Sequence, residues 1–440
     1  MTWPMLFGTL ALMSFQLVDS FFISLLGSEP LAAMGFTMPF NQLLIGVQVG
    51  IGIGTTALVS RSLGAQRQAY ARRLGALLLL VGSTLMASLA LILLLARQPL
   101  LQAMGADPQL FPYTDSYWRP WLLGSWCHAL LYFANSLCRA NGDTRMPGLM
   151  MVFTSLLNMA LDPLFIFVFD WGLAGAAYAT ICSCLLGCIF MYFTLFKRSM
   201  LDFRLRRTET AAAIASIASI SLPAMLSQLM PGMAALLATR TVAIFGTSAI
   251  AAWALGTRLE TFSIVVVLAL TMALPPMLGR LLGAGDFVQA HKLVRLAVRF
   301  VVLLQLAVAL FWLLLRPLLV NTLTSDAQTA EYLARYLLLV PVSYGFLGTC
   351  ILTVSVCNAL GMPLRALLIS LLRLFAFYLP ALYAGALLAG MHGVYLGVMG
   401  GNLLAGISGW LLYRKGLRKL QSSYPNRKVS PEVQTASRPS

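Results

Sequence analysis

The sequence predicts an all-α integral membrane protein, with twelve transmembrane helices forming two six-helix bundles around a central cleft. Three observations carry that expectation. Of 440 residues, 59% are hydrophobic and only 10% are charged, and the mean hydropathy is +0.84. A soluble globule of this size has to wet its exterior, and this composition leaves too little polar surface to do so. Apolar stretches of about 20 residues recur along the chain, each long enough to cross about 30 Å of hydrocarbon. Rare residues also recur at one offset of 219: Pro4 as Pro223, Gly27 as Gly246, Arg61 as Arg280, Gly64 as Gly283 and Gly142 as Gly361. Ala32-Ala33 and Ala65 return as Ala251-Ala252 and Ala284 at the same spacing. A long internal repeat in a hydrophobic chain marks a membrane transporter, because two similar halves can rock about a site between them.

Each span is bounded by its charges. The first runs near 4–26 and the second near 34–58, followed by Arg61, Arg67, Arg72 and Arg73. The third, 74–96, ends at Arg97; the fourth, 117–139, leads into Arg139 and Arg145. The fifth, 148–169, meets Asp170, and the sixth, 173–196, meets Lys197, Arg198, Arg204, Arg206 and Arg207. The seventh is 212–245, and the eighth, 249–279, precedes Arg280, Lys292, Arg295 and Arg299. The ninth, 294–315, meets Arg316; the tenth, 333–358, is followed by Arg365; 364–388 and 393–413 complete the set. Basic residues thus follow the even-numbered spans. The odd connections dilute Arg97, Arg119, Arg316 and Arg335 with Glu29, Asp107, Asp115, Asp170, Asp326 and Glu331. This asymmetry places both termini in the cytoplasm. The net charge of +16 is therefore topological, with anionic lipid rather than nucleic acid as its neighbour.

Six spans per half give both halves the same orientation, so the repeats are parallel about an axis along the membrane normal. Residues 1–205 and 206–420 are read as the two lobes, joined by the basic link Lys197 to Glu209, and 421–440 as a disordered cytoplasmic tail. Gly46, Gly50 and Gly54, at spacing four, allow a neighbouring helix to come close. Gly50, Gly52 and Gly54 superficially resemble a nucleotide loop, but no strand precedes them. No basic region precedes the first apolar segment, so no cleavable signal is read. The seven Cys have no metal spacing and are read as buried thiols.

Ionisable residues inside spans cost roughly 2.5–3.5 kcal/mol on insertion scales and need an explanation. Of fourteen acids only Asp19, Asp162 and Glu260 lie well inside; the bases are Arg240, Arg258 and Arg373. Asp19 and Asp162 each precede the outer end of a rising span by seven residues, at a depth of about 10 Å. Asn158 lies one turn below Asp162 on the same face, and Thr180 descends to a similar level in the sixth span. Pro163 frees a backbone carbonyl one turn earlier. These groups either satisfy one another in a bundle interior or form a site. Two carboxylates in a dry place hold one proton, or one hard cation such as sodium, better than two bare charges. In the C-terminal half Glu260 lies about 18 Å deep. Arg240, Arg258 and Arg373 are candidate partners for a static bridge or a substrate or ion role. There is no His/Asp/Glu metal or nucleophile constellation and no GxxxxGK[ST] for ATP, so an ion gradient must supply the energy and no enzyme or cofactor is expected.

These residues carry a resemblance. Pro4 with Leu17-Val18-Asp19-Ser20-Phe21-Phe22, Gly27 and Leu31-Ala32-Ala33-Met34-Gly35 resembles the first-span signature of the MATE (multidrug and toxic compound extrusion) transporters. So do Ala57-Leu58-Val59-Ser60-Arg61-Ser62-Leu63-Gly64-Ala65, Asn158 through Phe165, Gly172 through Thr180, Gly246 through Ala252, and Arg258-Leu259-Glu260. The likeness runs from residue 4 to about 413. It implies two lobes in a V, exporting bulky, often cationic drugs against an inward proton or sodium flow. In the DinF-like branch the implied cation site falls on Asp19, Asn158, Asp162 and Thr180. A seventh-span Glu of the NorM-like branch is replaced near Pro231, which favours the DinF-like branch and proton coupling. A Tyr often one turn before the first-span acid is Phe15 here. The expected protein is a monomeric multidrug antiporter of a bacterial inner membrane, with drugs and lipids as partners. The alternatives are a sodium-coupled antiporter, a flippase for lipid-linked sugars, which calls for an Arg-rich cleft, and a membrane-embedded enzyme, which lacks a reactive constellation.

Overall fold

The computed structural model describes residues 2–104, 111–204 and 207–423. Ten stretches in them are long and apolar enough to cross a membrane. Helix α5 (Phe111–Ala140) adds a further span, and the last stretch divides where Ala389 and Gly390 leave helical geometry inside α15 (Leu379–Ser423). The twelve expected spans are therefore present, all helical, as lipid demands of any backbone without water to bond to.

The first half comprises α1 (Thr2–Ser24), α2 (Ser28–Gly64), α3 (Gln68–Leu95), the short α4 (Arg97–Ala103), α5, α6 (Arg145–Pro163) and α7 (Gly172–Lys197). The second comprises α8 (Arg207–Ala243), α9 (Thr247–Ser263), α10 (Val265–Gly283), α11 (Phe287–Leu323), α12 (Ala327–Leu339), α13 (Tyr344–Ala359), α14 (Pro363–Leu371) and α15. Asp286 and Asp326 cap α11 and α12 by accepting from the backbone N–H of Gln289 and Thr329, both at 2.9 Å. One core fills the first bundle around Trp118, Phe133 and Leu137; two fill the second, around Val294 and Leu352 and around Tyr336 and Tyr395. Large apolar side chains such as Leu236 and Leu388 stand exposed all round, which only a hydrocarbon solvent makes stable.

Three features differ from the expected spans. The eighth is broken at Ile264, between α9 and α10. Helix α11 props the break open: Gln305 Nε2 donates to the Ser263 carbonyl at 2.9 Å and Trp312 Nε1 donates to Ser263 Oγ at 2.7 Å. The eleventh contains a π-helical stretch, Leu372–Tyr378, and α15 continues to Ser423, so the first residues of the expected tail are helical. Residues 424–440 lie outside the described residues.

The two bundles meet along α2. A methyl group at Gly46 would strike Leu229 of α8, one at Gly50 would strike Met225, and one at Gly54 would strike Ser221. The antiparallel descent of these pairs shows how a glycine stripe lets two helices approach. Farther toward the opposite face Gly35, on the same side of α2 as Gly46, meets nothing within 4 Å, and neither does Gly232 of α8. The bundles meet along this stripe and again at the basic face, where Gly64 lies against Arg280 and Gly283 against Arg61.

Candidate functional site

In the first bundle α6 carries Asn158 and Asp162 one turn apart, 3% and 0% exposed. Pro163 has no N–H to continue the α-helical ladder, and a π-helical turn, Leu164–Val168, follows it. Helix α7 packs against α6 and brings Thr180 to the pair. With the Asn158 amide oriented to satisfy its neighbours, its nitrogen donates to Asp162 Oδ2 at 3.1 Å. Its oxygen accepts from Thr180 Oγ1 at 3.1 Å and from the Thr180 backbone N–H at 3.0 Å. Helix α1 lies along α6 and sets Asp19, half-buried, where its charge acts directly on Asp162. The structure thus brings together Asp19, Asn158, Asp162 and Thr180.

It adds a residue that the sequence reading passed over. Tyr117 of α5 is buried and feels the charges of both Asp19 and Asp162. In the structure it lies six residues into α5, a depth of about 9 Å that matches the acids, whereas the expected fourth span begins at Tyr117 itself. One signal in the sequence could have found it: it recurs as Tyr336, at the repeat offset of 219.

Tyr336 anchors the second cluster. Its hydroxyl donates to Glu260 Oε2 at 3.2 Å and lies 3.5 Å from the Tyr344 hydroxyl. Tyr378 also feels the charge of Glu260. Arg373, on the π-helical stretch, acts on Glu260 through its field, while the direct hydrogen bond goes to the tyrosine instead of an arginine. Arg240 and Arg258 are exposed and, among the described residues, form no ion pair with Glu260. The expected bridge is replaced by a carboxylate among phenols. The acids are not repeated: Asp19, Asn158, Asp162 and Thr180 correspond to Ala238, Phe377, Ala381 and Met399.

Chemically, the first cluster gathers two carboxyls, a hydroxyl and an amide, neither acid ion-paired among the described residues. It can hold a proton or a hard cation. Among the described residues no three His, Cys, Asp or Glu gather to hold a metal ion. The free cysteines are buried or half-buried.

Comparison with known proteins supports the same architecture. The MatE family profile matches twice, at residues 4–164 and 223–383, the two matches beginning at Pro4 and Pro223. The chain is 48% identical to the Vibrio cholerae MATE transporter VcmN, solved in its bent form, with a TM-score of 0.94 over 96% of this chain and 97% of that one. A multidrug resistance MATE family transporter solved outward-facing gives a TM-score of 0.90 at 26% identity, covering 96% and 95%. Among curated proteins, a FAD transporter of Shewanella oneidensis is 32% identical over 423 residues, 94% of this chain and 93% of that protein. The multidrug export protein MepA of Staphylococcus aureus is 24% identical over 419 residues, 93% and 91%.

Proposed function

Because the chain belongs to the MatE family of multidrug and toxic compound extrusion transporters, we propose that it is a proton-coupled antiporter of a bacterial inner membrane. In this reading it exports amphipathic, often cationic compounds in exchange for inward protons, with both termini cytoplasmic. The observation that carries the reading is the buried Asp162, bonded by Asn158 and standing in the field of Asp19. A bare carboxylate pair is costly in a dry site unless a cation visits it.

The cycle follows from that cost. From the open side of the cleft a proton reaches Asp19 or Asp162, the helices α1, α6 and α7 repack around the neutralised pair, and the drug site weakens. With the cleft facing the basic side, loss of the proton restores the negative pair and drug affinity. Antiport requires only that proton and drug bind antagonistically, typically by 1–3 kcal/mol, and linkage makes this reciprocal.

The test is efflux from proteoliposomes under a pH gradient and, separately, a sodium gradient. Export driven by the pH gradient and indifferent to sodium is expected. Export driven by sodium alone would transfer the same oxygen pocket to sodium coupling. A second reading, an anionic dinucleotide as cargo, is favoured by the exposed Arg240 and Arg258 together with Arg373, and by the name of the Shewanella relative. Proteoliposomes loaded with FAD separate the two cargoes in the same assay.

A further inference from the structure

The basic ends of the two bundles are tied by a pair of contacts that the repeat makes reciprocal. Helix α5 ends in a left-handed glycine, Gly142 with φ +88°, and α13 ends in its counterpart, Gly361 with φ +72°. Both ends are closed alike. Gly142 N–H bonds the Arg139 carbonyl at 2.8 Å and Asp143 N–H bonds that of Cys138 at 3.1 Å. Gly361 N–H bonds the Asn358 carbonyl at 3.1 Å and Met362 N–H bonds that of Cys357 at 2.8 Å. This end motif satisfies two of the last carbonyls and leaves those of Asn141 and Leu360 unclaimed at the negative pole of each helix.

Each unclaimed carbonyl is taken by an arginine of the other bundle. Arg61, in the last turn of α2, donates through Nη2 to the Leu360 carbonyl at 3.3 Å. Arg280, in the last turn of α10, donates through Nη2 to the Asn141 carbonyl. The glycines are what admit the guanidinium groups. A methyl group at Gly142 would lie 2.8 Å from Arg280 Nη2, and one at Gly361 would collide with Arg61. Beside these bonds the backbones themselves touch, Gly64 against Arg280 and Gly283 against Arg61.

We propose that Arg61 and Arg280 form a reciprocal latch that closes the basic face by clamping each bundle onto the opposite helix end. Both bonds cross the seam, so both must break for that face to open. They are charge–dipole contacts to backbone carbonyls, indifferent to the charge state of the acid pocket, so they set the resting bias of the two lobes and leave coupling to Asp19 and Asp162. Arg61 and Arg280 are positioning residues. The proposal rests on the transport reading only in calling the closed face a gate; the latch itself is a statement about lobe separation.

The test measures that separation directly, with nitroxides carried on non-natural amino acids in the full chain in nanodiscs, without substrate. One pair, Gln68 and Gln289, reports the basic face; a second, Glu29 and Ser325, reports the opposite face. In the R61A/R280A double variant the basic-face distance should lengthen and the opposite-face distance shorten. The ratio of the two populations should move at least about tenfold, as expected for losing charged hydrogen bonds. The R61K/R280K variant, which keeps a cationic donor on each side, should recover part of the shift. If the double variant does not reach the membrane, Arg280→Ala alone carries the same test with a smaller shift. Unchanged distances, or both faces widening together, would overturn the latch. A protein whose lobes shift as described but which moves no cargo under any gradient would instead overturn the transport reading.

Discussion

Asp143, in the loop after α5, shows how a single side chain is tuned outside the membrane. Partial burial opposes its ionisation, but Arg198 Nη1 donates to Oδ2 at 2.7 Å and the backbone N–H groups of Arg145 and Met146 donate to Oδ1, so the carboxyl is held below its usual range. A lowered folded-state value means stability that is present above the usual carboxylate range and lost as pH falls through the folded value. Because both partners are partly exposed, the contribution is expected to stay within about 1 kcal/mol. In a thermal melt Asp143→Asn should therefore lower the midpoint slightly at neutral pH, and the gap should vanish in acid. Inside the membrane, Tyr117→Phe keeps the ring in its core and removes only the hydroxyl. The expected result is a displaced pH profile of efflux, measured across a pH series, with folding intact; an unchanged profile would make Tyr117 a packing residue. Asp19, Asn158, Asp162 and Thr180 were legible because ionisable and polar residues are rare in spans and depth follows from residue number. Tyr117 and Tyr336 were not, because a tyrosine in a membrane helix ordinarily reads as core or interface.

At the scale of the helix, the glycine stripe of α2 announced a close neighbour, though not which one. That neighbour is α8 of the other bundle, which the stripe admits at Leu229, Met225 and Ser221. Gly50→Leu should act as a wedge against Met225, holding the basic half of the seam apart. The expected outcome is loss of export of about tenfold or more with the protein still in the membrane, read by vesicle efflux beside the basic-face distance measurement. Wild-type export from that variant would mean that the seam has slack. The break at Ile264 left no trace in the sequence, since no proline or glycine marks it; it is held from outside by Gln305 and Trp312, and such tertiary support is invisible to periodicity. The π-helical turn after Pro163, in contrast, was foreshadowed by the missing N–H.

For the molecule as a whole, the repeat made the fold readable: one offset, an even span count and the charge asymmetry define two parallel bundles. The acid cluster breaks that symmetry, since Asp19 and Asp162 have only alanines at the repeat offset. If Asp19 and Asp162 carry the coupling, drug affinity should weaken as pH falls in the native protein. In Asp19→Asn it should be nearly pH-independent, with proton-driven efflux reduced by roughly the 5–150-fold range of typical coupling energies. Equilibrium binding of a fluorescent substrate across a pH series checks the first part, and efflux checks the second. Affinity that still tracks pH in the variant would remove Asp19 from the mechanism.

Helix α1 touches both bundles. It lies along α6 in its own bundle and also reaches across to α10 in the other. The helix that carries Asp19 is therefore also a strut between the two halves. A change of charge at Asp19 needs no relay of intermediate residues to be felt on the far side, because α1 itself touches both halves.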